Sequence, residues 1–233
     1  MTHRGPELPY SVVAGVVPWG KRWVVASAKM GGSTFACEPP KAFDTFIDVL
    51  SEKPAYATIV VHAPIGYRNR AGDPQRTCDI LARELLGHRR STAPPAPCRD
   101  SLAEGASLEG AHLDAVTITL LPRYREVYRE MSPYRQRTVY SGNPELSFFR
   151  LNADTPLRWS KNREEGVMER RAILDKRIQG FHTIGDAKGL PQKQLLDASA
   201  LMWSARLVFA HAASRLPADA EWDSEGLRTE WVF

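Results

Sequence analysis

Cysteine is scarce in this chain of 233 residues: Cys37, Cys78 and Cys98 stand far apart and form no Cys-x-x-Cys pair. That excludes a structural zinc motif and a complete disulfide framework, and it predicts a reducing, cytoplasmic setting. Long apolar runs are absent too. No stretch approaches the roughly 18 consecutive apolar residues of a spanning helix, and the charged, proline-containing segment 1–10 holds no signal-peptide core. Neither membrane insertion nor secretion is expected. A Walker loop and a glycine-rich strand-to-helix phosphate loop are both lacking, which argues against a nucleotide kinase or ATPase and against a nucleotide cofactor. With no repeat, low-complexity tract or linker, the expectation is one domain over residues 1–233, with an inserted helical and proline-rich region at about 67–135.

What is present reads as a globular α/β chain. Hydrophobic residues make up 43% and charged residues 25%, enough apolar surface for a core. The β-branched run from Ser11 to Val17, the turn at Pro18-Trp19-Gly20-Lys21 and the similar run from Arg22 to Lys29 predict a hairpin, and Ser33–Cys37 a third antiparallel strand. Phe43, Phe46, Ile47 and Leu50 fall at helical spacing, and Thr58-Ile59-Val60-Val61 reads as a buried strand. Helices are predicted over 73–87, 111–131 (kinked or divided at Pro122), 163–178 and 192–213. A brief strand is expected at Thr138–Tyr140 and a last edge strand at Arg228–Phe233.

Several separated segments together resemble the family of predicted ribonuclease H-like nucleases, a domain-of-unknown-function family. They are Ala14-Gly15-Val16-Val17 with Trp23-Val24-Val25-Ala26, then His62-Ala63-Pro64-Ile65-Gly66, then Arg76-Thr77-Cys78-Asp79 with Ala82-Arg83, Gly87, Arg89-Arg90-Ser91 and Pro95-Ala96-Pro97. Asn143-Pro144-Glu145-Leu146-Ser147-Phe148, Ser160-Lys161, Gly166, Glu169-Arg170, Leu174 and Leu196-Asp197-Ala198 follow in order. The resemblance implies an α/β fold: a ribonuclease H-like mixed sheet with flanking helices and a helical insertion. It also implies carboxylates at strand ends and on a late helix that hold divalent metal for phosphodiester hydrolysis. Here the family's Gly-x-Asp becomes Gly15-Val16-Val17, and its Asp-x-Pro-x-Gly becomes His62-Ala63-Pro64-Ile65-Gly66, so two aspartates are replaced.

The candidate catalytic and metal-binding residues are therefore His62, Glu145 and Asp197, with Mg, Mn or Zn as the ion; imidazole favours the softer ions. Set against this, His62 at a strand end suits a structural hydrogen bond, Glu145 suits a helix N-terminus, and Asp197 suits a helix salt bridge. Candidate substrate-binding residues are Asp79, Arg83, Arg89, Arg90, Lys161 and Arg170. The basic stretch Arg68, Arg70, Arg76, Arg83, Arg89, Arg90 and Arg99 would follow a phosphate backbone, or form a solvated surface cluster. Net charge of +4 tolerates a DNA or RNA partner without demanding one. Three functions stay open: a divergent enzyme acting on nucleic-acid phosphodiesters, a noncatalytic nucleic-acid-binding or regulatory module, and an enzyme for a small polar metabolite.

Overall fold

The computed structural model describes residues 10–32, 34–111 and 113–233. The chain opens with β1 (Ser11–Trp19), β2 (Arg22–Gly31), β3 (Thr34–Cys37) and β4 (Lys41–Phe43). It continues through α1 (Phe46–Ser51), β5 (Tyr56–Val61), α2 (Thr77–Leu86), α3 (Ala115–Glu130), β6 (Val139–Ser141) and α4 (Pro144–Leu151). The last elements are α5 (Glu164–Arg177), α6 (Gln192–Phe209), β7 (Arg215–Leu216) and β8 (Trp231–Val232). β1 pairs antiparallel with β2 and parallel with β5, giving a mixed sheet of order β3-β2-β1-β5-β6 in which β4 also pairs with β2. This is the α/β mixed sheet with flanking helices that the resemblance implies.

Alternation along the strands sorts the core into two layers, because successive side chains of a strand point to opposite faces. Val13 and Val17 of β1, Val24 and Ala26 of β2 and Val60 of β5 pack against Leu196, Leu201 and Met202 of α6 and Leu174 of α5. Ala14 and Val16, Trp23 and Val25, and Ile59 and Val61 face the other way, onto Phe46 and Val49 of α1 and Leu121, Tyr124 and Val127 of α3. Gly15 explains how closely α6 rides the sheet. A Cβ there would lie 2.1 Å from the Ala198 carbonyl oxygen and 2.1 Å from the Met202 nitrogen, so only glycine lets the helix backbone settle on β1.

The structure departs from the sequence reading at several places, among them the starts of α2 and α3, at Thr77 and Ala115, and the unexpected helix α4. Phe43 sits in β4, opposite Trp23, because the helix starts only where Thr45 and Asp48 form a reciprocal capping box. Pro122 lies inside a continuous α3, on an exposed position where the carbonyl it leaves unpaired can meet water. α6 ends at Phe209, just before His211, whose φ of 55° breaks the helix. The C-terminal strand is β8, which pairs with β7 in a separate two-stranded sheet rather than edging the main one. Of the third strand, Ser33 lies outside the described residues, as do positions 1–9.

Candidate functional site

The C-terminal ends of β5 and β6 deliver the chain into a cavity of about 190 Å³. β5 runs straight into His62, whose N–H donates to the Val16 carbonyl at 2.8 Å and extends the ladder one residue. β6 runs into Gly142, where a Cβ would stand 2.2 Å from Val60 Cγ1, so glycine is required for the crossing. Asn143 then caps α4, its Oδ1 accepting from the Glu145 N–H at 2.9 Å, with Pro144 in the first helical turn. Asn-Pro-Glu is thus a local device that starts a helix and aims Glu145 at the cavity wall. Asp197 arrives from the opposite side on α6, at 3% exposure.

Lys161 is the point where these groups meet. Its Nζ donates to Asp197 Oδ2 at 2.5 Å, and it lines the cavity beside His62 and Glu145. The Asp197 carboxylate, reinforced by Glu145, raises the Lys161 pKa above its ordinary value against the pull of desolvation. Partly buried His62 is pushed the other way, to about 3, by desolvation first and by the Lys161 ammonium second. Glu145 carries two guanidinium partners on one oxygen: Arg170, almost wholly buried, and Arg89 at 3.2 Å. Its other oxygen, Oε2, is buried with no partner among the described residues, as are Asp197 Oδ1 and the Nε atoms of Arg89 and Arg170.

The segment carrying Lys161 is held by α5 in a way that accounts for the spaced motif Ser160-Lys161, Gly166, Glu169-Arg170. Glu169 accepts the N–H groups of Arg158 and Trp159 at 2.9 and 3.0 Å, and Arg170 donates to the Trp159 carbonyl at 3.1 Å. Gly166 admits the strand of chain: a Cβ there would lie 2.0 Å from the Ser160 carbonyl oxygen. One turn and a half of helix therefore fixes both Lys161 and Arg170 against the two acids.

A divalent ion fits this arrangement poorly. Two hard cations would need several free carboxylate oxygens in a cluster, but Val17 is 1% exposed in the apolar layer under α6 and brings no ligand. The Asp197 and Glu145 charges are already met by an ammonium and two guanidinium groups. Among the described residues no three His, Cys, Asp or Glu side chains are grouped to hold a metal. The trio His62, Glu145 and Asp197 assembles around Lys161, not around a shared point of ligation.

The sequence candidates Asp79, Arg83 and Arg90 lie off the cavity. Asp79, 2% exposed, accepts from Arg76 at 3.1 Å, from Trp231 Nε1 at 2.9 Å and from the Ala96 N–H at 2.9 Å. It anchors the proline-rich loop from within and does not line the cavity. Arg83 donates to the Arg90 and Ala93 carbonyls, each at 3.4 Å, and Arg90 itself is exposed off the cavity. The expected arginine track is divided: Arg76 is buried and clasps the Gly66 carbonyl at 2.7 Å, Arg99 pairs with Asp223 at 2.8 Å, and Arg70 and Arg90 are exposed. Of the candidate basic residues, Arg89 and Lys161 line the cavity. Leu120 and Tyr124 of α3 and the distant Trp231 complete the wall, and no local signal in the sequence marks them as such.

Comparison with known proteins places this geometry. The family model described as "Protein of unknown function (DUF429)" matches residues 15–222. The chain belongs to that family. The matched DUF429 span includes His62, Glu145, Lys161 and Asp197, and therefore the whole charge cluster. No curated protein matches the chain. Among solved structures, that of RuvC from Thermus thermophilus is similar over 86% of this chain and 97% of its own, at 15% identity and a TM-score of 0.34.

Proposed function

We propose that this DUF429 protein is a noncatalytic, nucleic-acid-directed binding module of ribonuclease H-like build, in which side-chain cations have taken over the place of metal. The observation that carries this reading is the Lys161 ammonium bonded to Asp197, with Arg89 and Arg170 on Glu145. Metal-assisted hydrolysis needs an ion to activate water and to steady the leaving oxygen. Carboxylates neutralised by fixed cations attract a second cation weakly, whereas the Lys161 and Arg89 donors left over attract phosphate oxygens.

The cluster sums to one positive charge, counting Arg89, Arg170 and Lys161 against Glu145 and Asp197, with His62 neutral above its depressed pKa. A mildly electropositive recess suits an anion. The test is incubation of single- and double-stranded DNA and RNA with the protein in magnesium, manganese or zinc, followed by both binding and cleavage readouts. Binding without cleavage is the expected result. Cleavage that disappears in Glu145→Gln and Asp197→Asn would restore the hydrolytic reading in its place.

A further inference from the structure

The cavity walls carry three kinds of chemistry side by side, and together they describe a ligand. At one end stands an accessible cation: the Lys161 side chain is 39% exposed, and its ammonium offers three donors of which Asp197 takes one. Arg89 adjoins it with its Nε lacking any partner. Next to them Glu145, 7% exposed at its side chain, holds Oε2 as an acceptor with no donor. Buried donors and acceptors left unpaired each cost free energy, so a cluster short on both sides is short of a molecule that brings both. The opposite wall is apolar, formed by Leu120 and Tyr124 and by Val116, which stays 59% exposed at the mouth.

Resting on the binding reading above, we infer that the cleft takes a phosphomonoester carried on a hydroxyl-bearing unit with a flat apolar group, that is, one nucleotide-sized end. The phosphate oxygens accept from Lys161 and from Arg89, whose Nε–H has no partner among the described residues. A ligand hydroxyl donates to Glu145 Oε2, and the ring lies along Val116, Leu120 and Tyr124. Size selects an end over an interior: about 190 Å³ is below the range of roughly 300–1,000 Å³ usual for drug-sized ligands. A continuous duplex has no room there. The same chemistry is offered by a free nucleotide and by a phosphorylated strand terminus, and the experiment separates them.

The wild-type protein is titrated with inorganic phosphate, a nucleoside, the matching nucleoside monophosphate, and short single-stranded oligonucleotides with 5′-phosphate or 5′-hydroxyl ends. Expected is a monophosphate affinity at least about tenfold above both phosphate and nucleoside, the scale of one charge-assisted hydrogen bond. The 5′-phosphate oligonucleotide should exceed its hydroxyl counterpart by a similar factor if strand ends are the source. Lys161→Met should erase the phosphate preference. Val116→Asn, a neutral change at a position 59% exposed, should weaken the monophosphate and the nucleoside more than inorganic phosphate. Oligonucleotides that bind equally with either end, together with a monophosphate that binds no better than phosphate or nucleoside, overturn the inference while leaving nucleic-acid binding intact. A monophosphate that binds where no oligonucleotide does upholds the inference with a free nucleotide as ligand, and overturns the nucleic-acid reading. If none of these ligands binds, both fail.

Discussion

A single lysine changes what the two acids of this cleft can do. Asp197, 3% exposed on an apolar helix, needs a partner or water, and Lys161 provides it at 2.5 Å. His62 then stands beside a permanent cation in a desolvated place, which is why its pKa falls to about 3. The consequence for stability has a definite sign. In the unfolded chain the imidazole protonates near its ordinary 6.5, whereas in the folded protein it resists until about 3. The unfolded state therefore binds more protons across that window, so the contribution of neutral His62 is complete above pH 6.5 and is lost as pH falls toward 3. Urea denaturation of wild type and His62→Asn at pH values of about 4.5 and 7.5 should show a smaller loss of stability at acid pH in the variant. Equal losses in the two proteins would mean that the ring is not desolvated by the fold.

At the scale of elements, the spaced motifs act as fasteners. Arg76-Thr77-Cys78-Asp79 opens α2 and ties the 62–66 turn to the proline-rich loop, through Arg76 on the Gly66 carbonyl and Asp79 on the Ala96 N–H. Gly166 and Glu169-Arg170 do the same for the loop bearing Lys161. These glycines mark contact between backbones, so adding one carbon is a test of position rather than of chemistry. Gly166→Ala forces its methyl to within 2.0 Å of the Ser160 carbonyl oxygen unless the loop retreats. We expect a destabilisation of about 1–3 kcal/mol by denaturant unfolding, the usual cost of overpacking, together with weaker ligand binding as Lys161 withdraws. Unchanged stability and affinity would show that the loop tolerates the shift and that the glycine is not what positions Lys161.

On the scale of the whole molecule, the net charge of +4 is not what a polyanion meets in the cleft, because of the candidate basic residues only Arg89 and Lys161 line it, and Arg76 and Arg99 are each neutralised by a carboxylate. Nucleic-acid binding should therefore depend on salt only mildly. We expect log affinity to fall with log salt at a slope of about one to two, and Lys161→Met to lower it by about one, rather than the slopes of six or more seen for extended phosphate tracking. Anisotropy titrations between about 50 and 200 mM salt measure this, and a steep slope unaffected by the Lys161 substitution would place the contact surface elsewhere. Several strands and most helices were legible because β-branched runs and helical spacing are local properties of the chain, as at Val12–Val17 and at Phe46, Ile47 and Leu50 of α1. α4 was not among the helices expected from the sequence; only the suitability of Glu145 for a helix N-terminus pointed to it. What no local pattern carries is which distant groups share a space. The sequence by itself determined the opening hairpin, the buried β5 and the helices α1, α2, α3, α5 and α6, and it offered Glu145 and Asp197 as candidates. Only the tertiary structure decided that Lys161 and Arg170, brought in by α5, would neutralise them, because charge balance in a cleft depends on distances between segments far apart in the chain.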